Sequence, residues 1–350
     1  MHSPLSSDPA PHTTVPIVDV AALVDPASSP ALQAQVAAAI HRACCEHGFF
    51  YITGHGIDRG LQQALYDQCR AFFDQPLQSK LAIHMRHGGT AWRGYFSVGE
   101  ELTSGHPDQK EGLYFGHELA PDDPRVQTGI PLHGANLFPA EPKALRPLVL
   151  QYMAALTALS HSLMSGISQS LGLPASYFHT HYTRDPTVLF RVFHYPAQPV
   201  ADQTSWGVGE HTDYGVLTIL KQDQIGGLQI KRDDRWMDAP PIDDTFVCNI
   251  GDMLERMTRG LYRSTPHRVR NTSGQSRLSF PFFFDPGWDC PVTPLPVTQV
   301  LDAAQPSSAH ERWDGQDVHA FAGTYGEYLL AKVSKVFPNL RSADANAAAR

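Results

Sequence analysis

Glu210-His211-Thr212-Asp213-Tyr214-Gly215-Val216-Leu217-Thr218-Ile219-Leu220 is the stretch that decides the fold, because it joins two metal-type side chains to a strand-like run. Val216 to Leu220, and Gly227-Leu228-Gln229-Ile230 after it, have strand composition and are separated by glycine and charged turns. Residues i and i+2 of a strand point to one face, so an H-x-D on or entering a strand offers both side chains to one metal. With histidine at 18 positions, about one H-x-D is expected by chance. The downstream segments decide the matter.

Thr265-Pro266-His267-Arg268-Val269-Arg270 puts another imidazole at the start of a strand-like run. A barrel would bring that run back beside the first. His211, Asp213 and His267 then form a 2-His-1-carboxylate set, which leaves three positions of an octahedral Fe(II) open and points to oxygenase chemistry. Arg277-Leu278-Ser279-Phe280-Pro281-Phe282-Phe283-Phe284 repeats the i, i+2 spacing with a guanidinium and a hydroxyl. A planar fork and a hydroxyl on one face suit a carboxylate. Zinc hydrolysis is disfavoured, since zinc prefers histidine-rich or cysteine sets and no H-E-x-x-H occurs.

The whole order, H-x-D, about fifty residues, H, ten residues, R-x-S, resembles the isopenicillin N synthase-like branch of the iron and 2-oxoglutarate-dependent dioxygenases. Val15-Pro16-Ile17-Val18-Asp19 is similar to that family's opening strand, and His47-Gly48-Phe49-Phe50-Tyr51-Ile52-Thr53-Gly54-His55-Gly56 to its second. Phe190-Arg191-Val192-Phe193-His194-Tyr195-Pro196 is similar to the strand before the first ligand, and Asn249-Ile250-Gly251-Asp252-Met253-Leu254 to the family's N-I-G-D stretch. The resemblance spans about residues 15 to 290. It implies an α+β protein with a double-stranded β-helix (jelly-roll) core flanked by helices. It also implies Fe(II), 2-oxoglutarate as co-substrate and O2, with the far carboxylate of 2-oxoglutarate on Arg277 and Ser279 and Tyr195 as an extra contact. The implied reaction is oxidation of a small molecule by hydroxylation, desaturation or ring closure, with release of succinate and CO2.

Trp92-Arg93-Gly94-Tyr95-Phe96 and the nonperiodic run from Gly99 through Glu100-Glu101-Leu102-Thr103-Ser104-Gly105 to Glu111 have the composition of site-lining loops. Gly-Glu-Glu-x-Thr-x-Gly-x-Pro-Asp is also similar to the ethylene-forming branch. Arg93, Glu101, Arg191 and Tyr214 are the candidate substrate contacts. Three alternatives stand beside the main expectation: an iron oxidase that does not use 2-oxoglutarate, ethylene-forming breakdown of 2-oxoglutarate, and a noncatalytic metal-binding barrel. Isopenicillin N synthase carries the same R-x-S, but it also uses a glutamine close to its C-terminus. Here the last glutamine is Gln316.

The 350 residues, 42% hydrophobic and 18% charged, describe a soluble globular chain able to bury a large core. A net charge of −8 argues against a nucleic-acid backbone as partner. Five cysteines without C-x-x-C spacing indicate neither a disulfide framework nor a cysteine zinc site. No basic-then-apolar leader and no membrane-length apolar run is visible, so a cytoplasmic enzyme is expected, with no membrane partner and an oligomeric state left open.

The expected organisation is a tail over 1–14, a helix and strand region over 15–125, a connecting loop and long bracing helix over 126–185, and the oxygenase core over 186–290. A C-terminal helical region over 291–341 and a tail over 342–350 complete it. Ser29-Pro30 supplies a cap and first-turn proline for a helix with Leu32, Val36, Ile40 and Cys44 inward. Leu61 to Phe73 repeats the pattern. Pro147 opens a long helix whose stripe is Leu148, Tyr152, Leu156, Leu159, Leu163, Ile167 and Leu171. Residues 78 to 140 predict ordered loops and short strands, and a last helix is predicted near Ala320 to Val336.

Overall fold

In the computed structural model, which describes residues 15–197, 206–232, 234–297, 312, 315 and 317–337, the alternating apolar runs form strands and the three-four stripes form helices. The predicted tails 1–14 and 342–350, and Gln316, lie outside the described residues. The strands are β1 (Ile17–Asp19), β2 (Phe49–Thr53), β3 (Gly94–Phe96), β4 (Leu102–Thr103), β5 (His106–Pro107), β6 (Glu111–Gly116) and β7 (Thr187–Tyr195). They continue with β8 (Val208–His211), β9 (Leu217–Gln222), β10 (Leu228–Arg232), β11 (Arg235–Asp238), β12 (Phe246–Ile250), β13 (His267–Val269) and β14 (Arg277–Asp285). The helices that matter for the site are α1 (Pro30–Glu46), α2 (Arg59–Phe73), α3 (Leu145–Ser170), α4 (Asp252–Met257) and α5 (Tyr325–Val336).

From β7 onward the chain alternates between two sheets. β7, β9, β12 and β14 belong to an eight-stranded sheet of order β1-β2-β12-β9-β14-β7-β6-β3, while β8, β10, β11 and β13 form a four-stranded sheet of order β11-β10-β13-β8. This winding is a double-stranded β-helix, a jelly-roll relative. Strands far apart in sequence thereby become neighbours: β13 lies beside β8 with His267 directly opposite His211. β14 lies beside β7 with Arg277 opposite Tyr195. The pairs Ser279 with Phe193 and Phe282 with Phe190 place Pro281 opposite Arg191, where the proline has no N–H to give the ladder.

The helices brace the outer face of the large sheet. Tyr152, Leu156, Leu159, Leu163, Ile167 and Leu171 of the predicted stripe are buried, and α3 packs against α1, α2 and the β9/β14 part of the sheet. Ser29 caps α1 by accepting from Leu32 N–H at 3.4 Å. Local details depart from the sequence pattern. Leu32 sits in the first turn beyond the reach of the core and is half exposed, and Pro147 is the third residue of α3 rather than its first. The final helix begins at Tyr325 rather than near Ala320. Thr324 and Glu327 form a capping box there, each side chain accepting from the other's backbone N–H at 3.3 and 2.9 Å, and residues 318–320 make a separate single turn.

Candidate active site

The two sheets enclose a chamber lined by His211, Asp213, His267, Arg277, Ser279 and Tyr195 together. His211 is the last residue of β8 and Asp213 lies in the turn that follows, so the strand alternation expected for H-x-D places only the histidine. The turn nevertheless returns the carboxylate to the same side: one donor atom from each of His211, Asp213 and His267 lies within 4.8 Å of the others. Asp213 Oδ1 is 4.0 Å from His211 Nε2 and 3.8 Å from His267 Nε2. One ion can reach all three.

Each of these side chains is held from behind. His211 Nδ1 donates to Gly209 O at 2.8 Å and His267 Nδ1 to Thr265 O at 3.2 Å, which leaves both Nε2 atoms facing the chamber. Burial, followed by the neighbouring His267, depresses the His211 pKa, so its ring is a neutral, ligand-competent imidazole at neutral pH. Burial alone would raise the Asp213 carboxyl. The His267 and His211 rings, with donors from Asn249 and Thr218, outweigh burial and hold it below the ordinary value.

The grip on Asp213 was not legible in the triad motif. Thr218 Oγ1 donates to Asp213 Oδ2 at 2.6 Å and Asn249 Nδ2 donates to the same oxygen at 2.7 Å, so Oδ1 alone is left for an ion. The backbone adds to this: Asp252 N–H donates to Asp213 O at 2.8 Å and Met253 N–H to Gly215 O at 3.0 Å. Gly251 makes that approach possible, since a Cβ there would meet Gly215 O at 2.4 Å. The N-I-G-D stretch thus supports the ligand turn. Asn249→Ala is expected to weaken Fe(II) binding by about 10- to 100-fold with the fold retained, as measured by anaerobic metal titration; an unchanged affinity would mean that Asn249 does not position the carboxylate.

At the other end of the chamber Arg277 is 1% exposed, and its Cζ lies 4.7 Å from the Tyr195 ring centroid. Gln222 Oε1 accepts from Nη2 at 3.3 Å, while Nε and Nη1 have no hydrogen-bond partner among the described residues. A buried guanidinium with open donors is costly unless an anion completes it. Ser279 Oγ and Tyr195 OH are 3.5 Å apart beside it, so a carboxylate there would meet a fork and two hydroxyls. The residues present therefore fit both an iron-type ion and a carboxylate-bearing co-substrate.

The predicted loop from Gly99 to Glu111 does form part of the chamber wall. Ser104 Oγ donates to Glu210 O at 2.5 Å and Asp108 Oδ1 accepts from Gly209 N–H at 3.4 Å, which ties the loop to β8. Glu101, Arg191 and Tyr214 line the chamber. Arg93 does not. It is buried behind the wall, donating from Nη2 to Leu132 O at 2.5 Å, and it borders a smaller cavity that Arg191 also borders.

Asp285, at the end of β14, is a chamber residue the sequence did not flag. Its Oδ1 accepts from Val216 N–H at 3.1 Å, Oδ2 accepts from the Tyr325 hydroxyl, and Gly215 leaves room for it. Burial pushes its pKa from 3.8 up to about 7. Folded protein then binds more protons than unfolded between those values, so this group's contribution is most favourable below pH 3.8 and declines as pH rises toward 7. Asp285→Asn should flatten that decline. In urea melts of metal-free protein at pH 5 and 8, wild type should lose stability relative to the variant by no more than about 3 kcal/mol, the part of the shift that lies between pH 5 and about 7. Parallel losses would show that Asp285 is not the responsible acid.

Two family models match the chain: the N-terminal region of non-haem dioxygenases in morphine synthesis over residues 15–141, and the 2OG-Fe(II) oxygenase superfamily over residues 186–286. A probable iron/ascorbate oxidoreductase of Dictyostelium discoideum is 46% identical, covering 94% of this chain and 96% of its own. A homoarginine-6-hydroxylase of Oryza sativa subsp. japonica is 35% identical, covering 91% of this chain and 96% of its own. Among solved structures, a full-length Neurospora crassa protein in complex with alpha-KG and thymine superposes with a TM-score of 0.75 at 26% identity, covering 92% of this chain and 96% of that one. Likeness of this extent, running through both the helical front half and the barrel, makes the chain a member of the 2OG-Fe(II) oxygenase superfamily, isopenicillin N synthase-like branch, and hence an iron- and 2-oxoglutarate-dependent oxidoreductase.

Proposed function

We propose that His211 Nε2, Asp213 Oδ1 and His267 Nε2 hold the iron, and that Arg277, Ser279 and Tyr195 hold the far carboxylate of 2-oxoglutarate. The observation that carries this is the presence, in one chamber, of three donor atoms within 4.8 Å of one another and a buried guanidinium with two open nitrogens. Iron with 2-oxoglutarate and O2 supplies the oxidising power, converting the keto acid to succinate and CO2 as the substrate is oxidised. The protein's own part is positional. The triad would hold the ion through three protein atoms and leave positions for exogenous ligands. Thr218 and Asn249 keep Asp213 from turning its second oxygen inward. Arg277 would fix one end of the co-substrate and so restrict its orientation in the chamber.

The remaining wall receives the substrate. Phe49, Leu189, Phe193, Val208, Phe283 and Leu329 line it and keep water from the reacting atoms. A small molecule of amino-acid size is the substrate class we propose, with homoarginine the first to test because the rice relative bears that name. The cysteines of the chain are free thiols, with Cys44, Cys69 and Cys248 buried, which fits a reducing compartment such as the cytoplasm. Among the described residues no helix is long and apolar enough to cross a membrane.

The test is anaerobic addition of Fe(II) and 2-oxoglutarate, followed by oxygen. A weak visible charge-transfer band should form first, and succinate and CO2 should follow. Oxygen consumption without either product would support an oxidase route instead.

A further inference from the structure

On β7 the alternate residues Leu189, Arg191, Phe193 and Tyr195 all face the chamber. Tyr195 is at the Arg277 end. Arg191, four residues back, lies about 13 Å away along the strand, opposite Pro281, where the wall is completed by Tyr214 and by Leu329 of α5. The Arg191 guanidinium is sandwiched between rings, its Cζ 4.2 Å from the Tyr114 centroid and 5.0 Å from that of Phe283. Rings stacked on a planar cation cover its faces and leave its N–H edges open.

The nearest acid to those edges is Glu101, whose Oε1 is 3.6 Å from Arg191 Nη1. Glu101 is already engaged: Lys110 Nζ lies 2.7 Å from its Oε2, and Tyr114 OH donates to its Oε1 at 2.5 Å. Lys110 in turn is also paired with Asp108. The Arg191 side chain, 13% exposed, is thus ion-paired with Glu101 at a separation longer than a hydrogen bond. A guanidinium carries five donors, and withdrawing them from water is unfavourable until an acceptor arrives. A second buried arginine, Arg93, whose Nε has no partner among the described residues, borders the smaller cavity behind the wall that Arg191 also borders, while on the chamber side Glu101 and Asp285 bring carboxyl groups near.

We infer that Arg191 binds a carboxylate of the primary substrate, which makes that substrate a small carboxylic acid held by its anionic end between the Tyr114 and Phe283 rings. This rests on the iron and co-substrate roles proposed above. Arg277 and Arg191 then divide the two acids of the reaction between them, Arg277 beside the Tyr195 end of β7 and Arg191 at the middle of the strand.

The test uses the full chain loaded anaerobically with Fe(II) and 2-oxoglutarate. The visible band is followed while homoarginine, a panel of other small carboxylic acids and the matched primary amides are added. At least one acid should perturb the band, its amide should bind at least about tenfold more weakly, and Arg191→Gln should narrow that gap to less than about twofold. Arg191→Lys keeps the charge without the planar fork and should retain part of the gap. If the Gln variant does not fold, as judged by circular dichroism, a gap left undiminished in Arg191→Lys overturns the proposal. It is equally overturned by acid and amide binding alike, by a gap that survives in Arg191→Gln, or by no acid binding. A loss of 2-oxoglutarate affinity of tenfold or more in Arg191→Gln would assign the guanidinium to the co-substrate and overturn it as well. Absence of the band in wild type would instead overturn the iron and co-substrate roles, and this proposal with them.

Discussion

Arg277→Ala should raise the 2-oxoglutarate concentration needed for half-maximal turnover by about two orders of magnitude or more, with little change in Fe(II) affinity. Hydrogen bonds to charged groups contribute roughly 1.5–3 kcal/mol each, and Arg277 has two nitrogens open for a carboxylate. Two such bonds correspond to roughly a hundredfold or more in affinity. Arg277→Lys should fall between, since a point charge replaces a bidentate fork. Anaerobic titration of the visible band gives the affinity directly, and unchanged affinity in Arg277→Ala would remove Arg277 from the co-substrate site. The same substitution carries a second expectation. A cation that is 1% exposed and has only a 3.3 Å contact to Gln222 is poorly compensated without its anion. Removing it should therefore cost the metal-free protein less stability than loss of so large a buried side chain would otherwise imply. Function is placed here at the expense of packing.

The parts of the fold that were legible in the sequence were those written in local chemistry. The α3 stripe, the Ser29-Pro30 start of α1 and the strand runs around His211 and Arg277 were readable because periodicity and capping act over a few residues. The parts that were not legible depend on long-range pairing. Thr218 and Asn249 reach Asp213 only because β9 and β12 lie side by side, with Thr218 directly opposite Asn249. Asp285 enters the chamber because β14 runs the full length of the barrel wall and Gly215 leaves space at its end. Arg93 had the right composition and the wrong place: it precedes β3 and lies buried behind the wall, where a backbone carbonyl takes its Nη2. The candidate triad was recoverable because its spacing records the winding of the barrel, one ligand pair before β9 and the third at β13.

Asp213→Ala is expected to reduce succinate formation by about three orders of magnitude or more, even at saturating Fe(II) and 2-oxoglutarate. The carboxylate is the anionic member of the proposed triad, and without it two neutral imidazoles would have to hold a dication. Metal-bound states contribute several kcal/mol to the chemistry they promote, and each 1.36 kcal/mol is tenfold in rate. The substitution also removes the shared acceptor of Thr218 Oγ1 and Asn249 Nδ2, both on buried residues. Those donors lose their partner while buried, so the turn from Asp213 to Gly215 should loosen as well. Asn249→Ala separates the two effects, because it loosens the carboxylate without removing it. The ranking expected from this geometry is a modest loss of metal affinity in Asn249→Ala and near-complete loss of turnover in Asp213→Ala. If Asp213→Ala retained a tenth of wild-type turnover at saturating metal, Oδ1 of Asp213 would not be an iron ligand, and the chamber would have to hold its ion through the two histidines and some other oxygen.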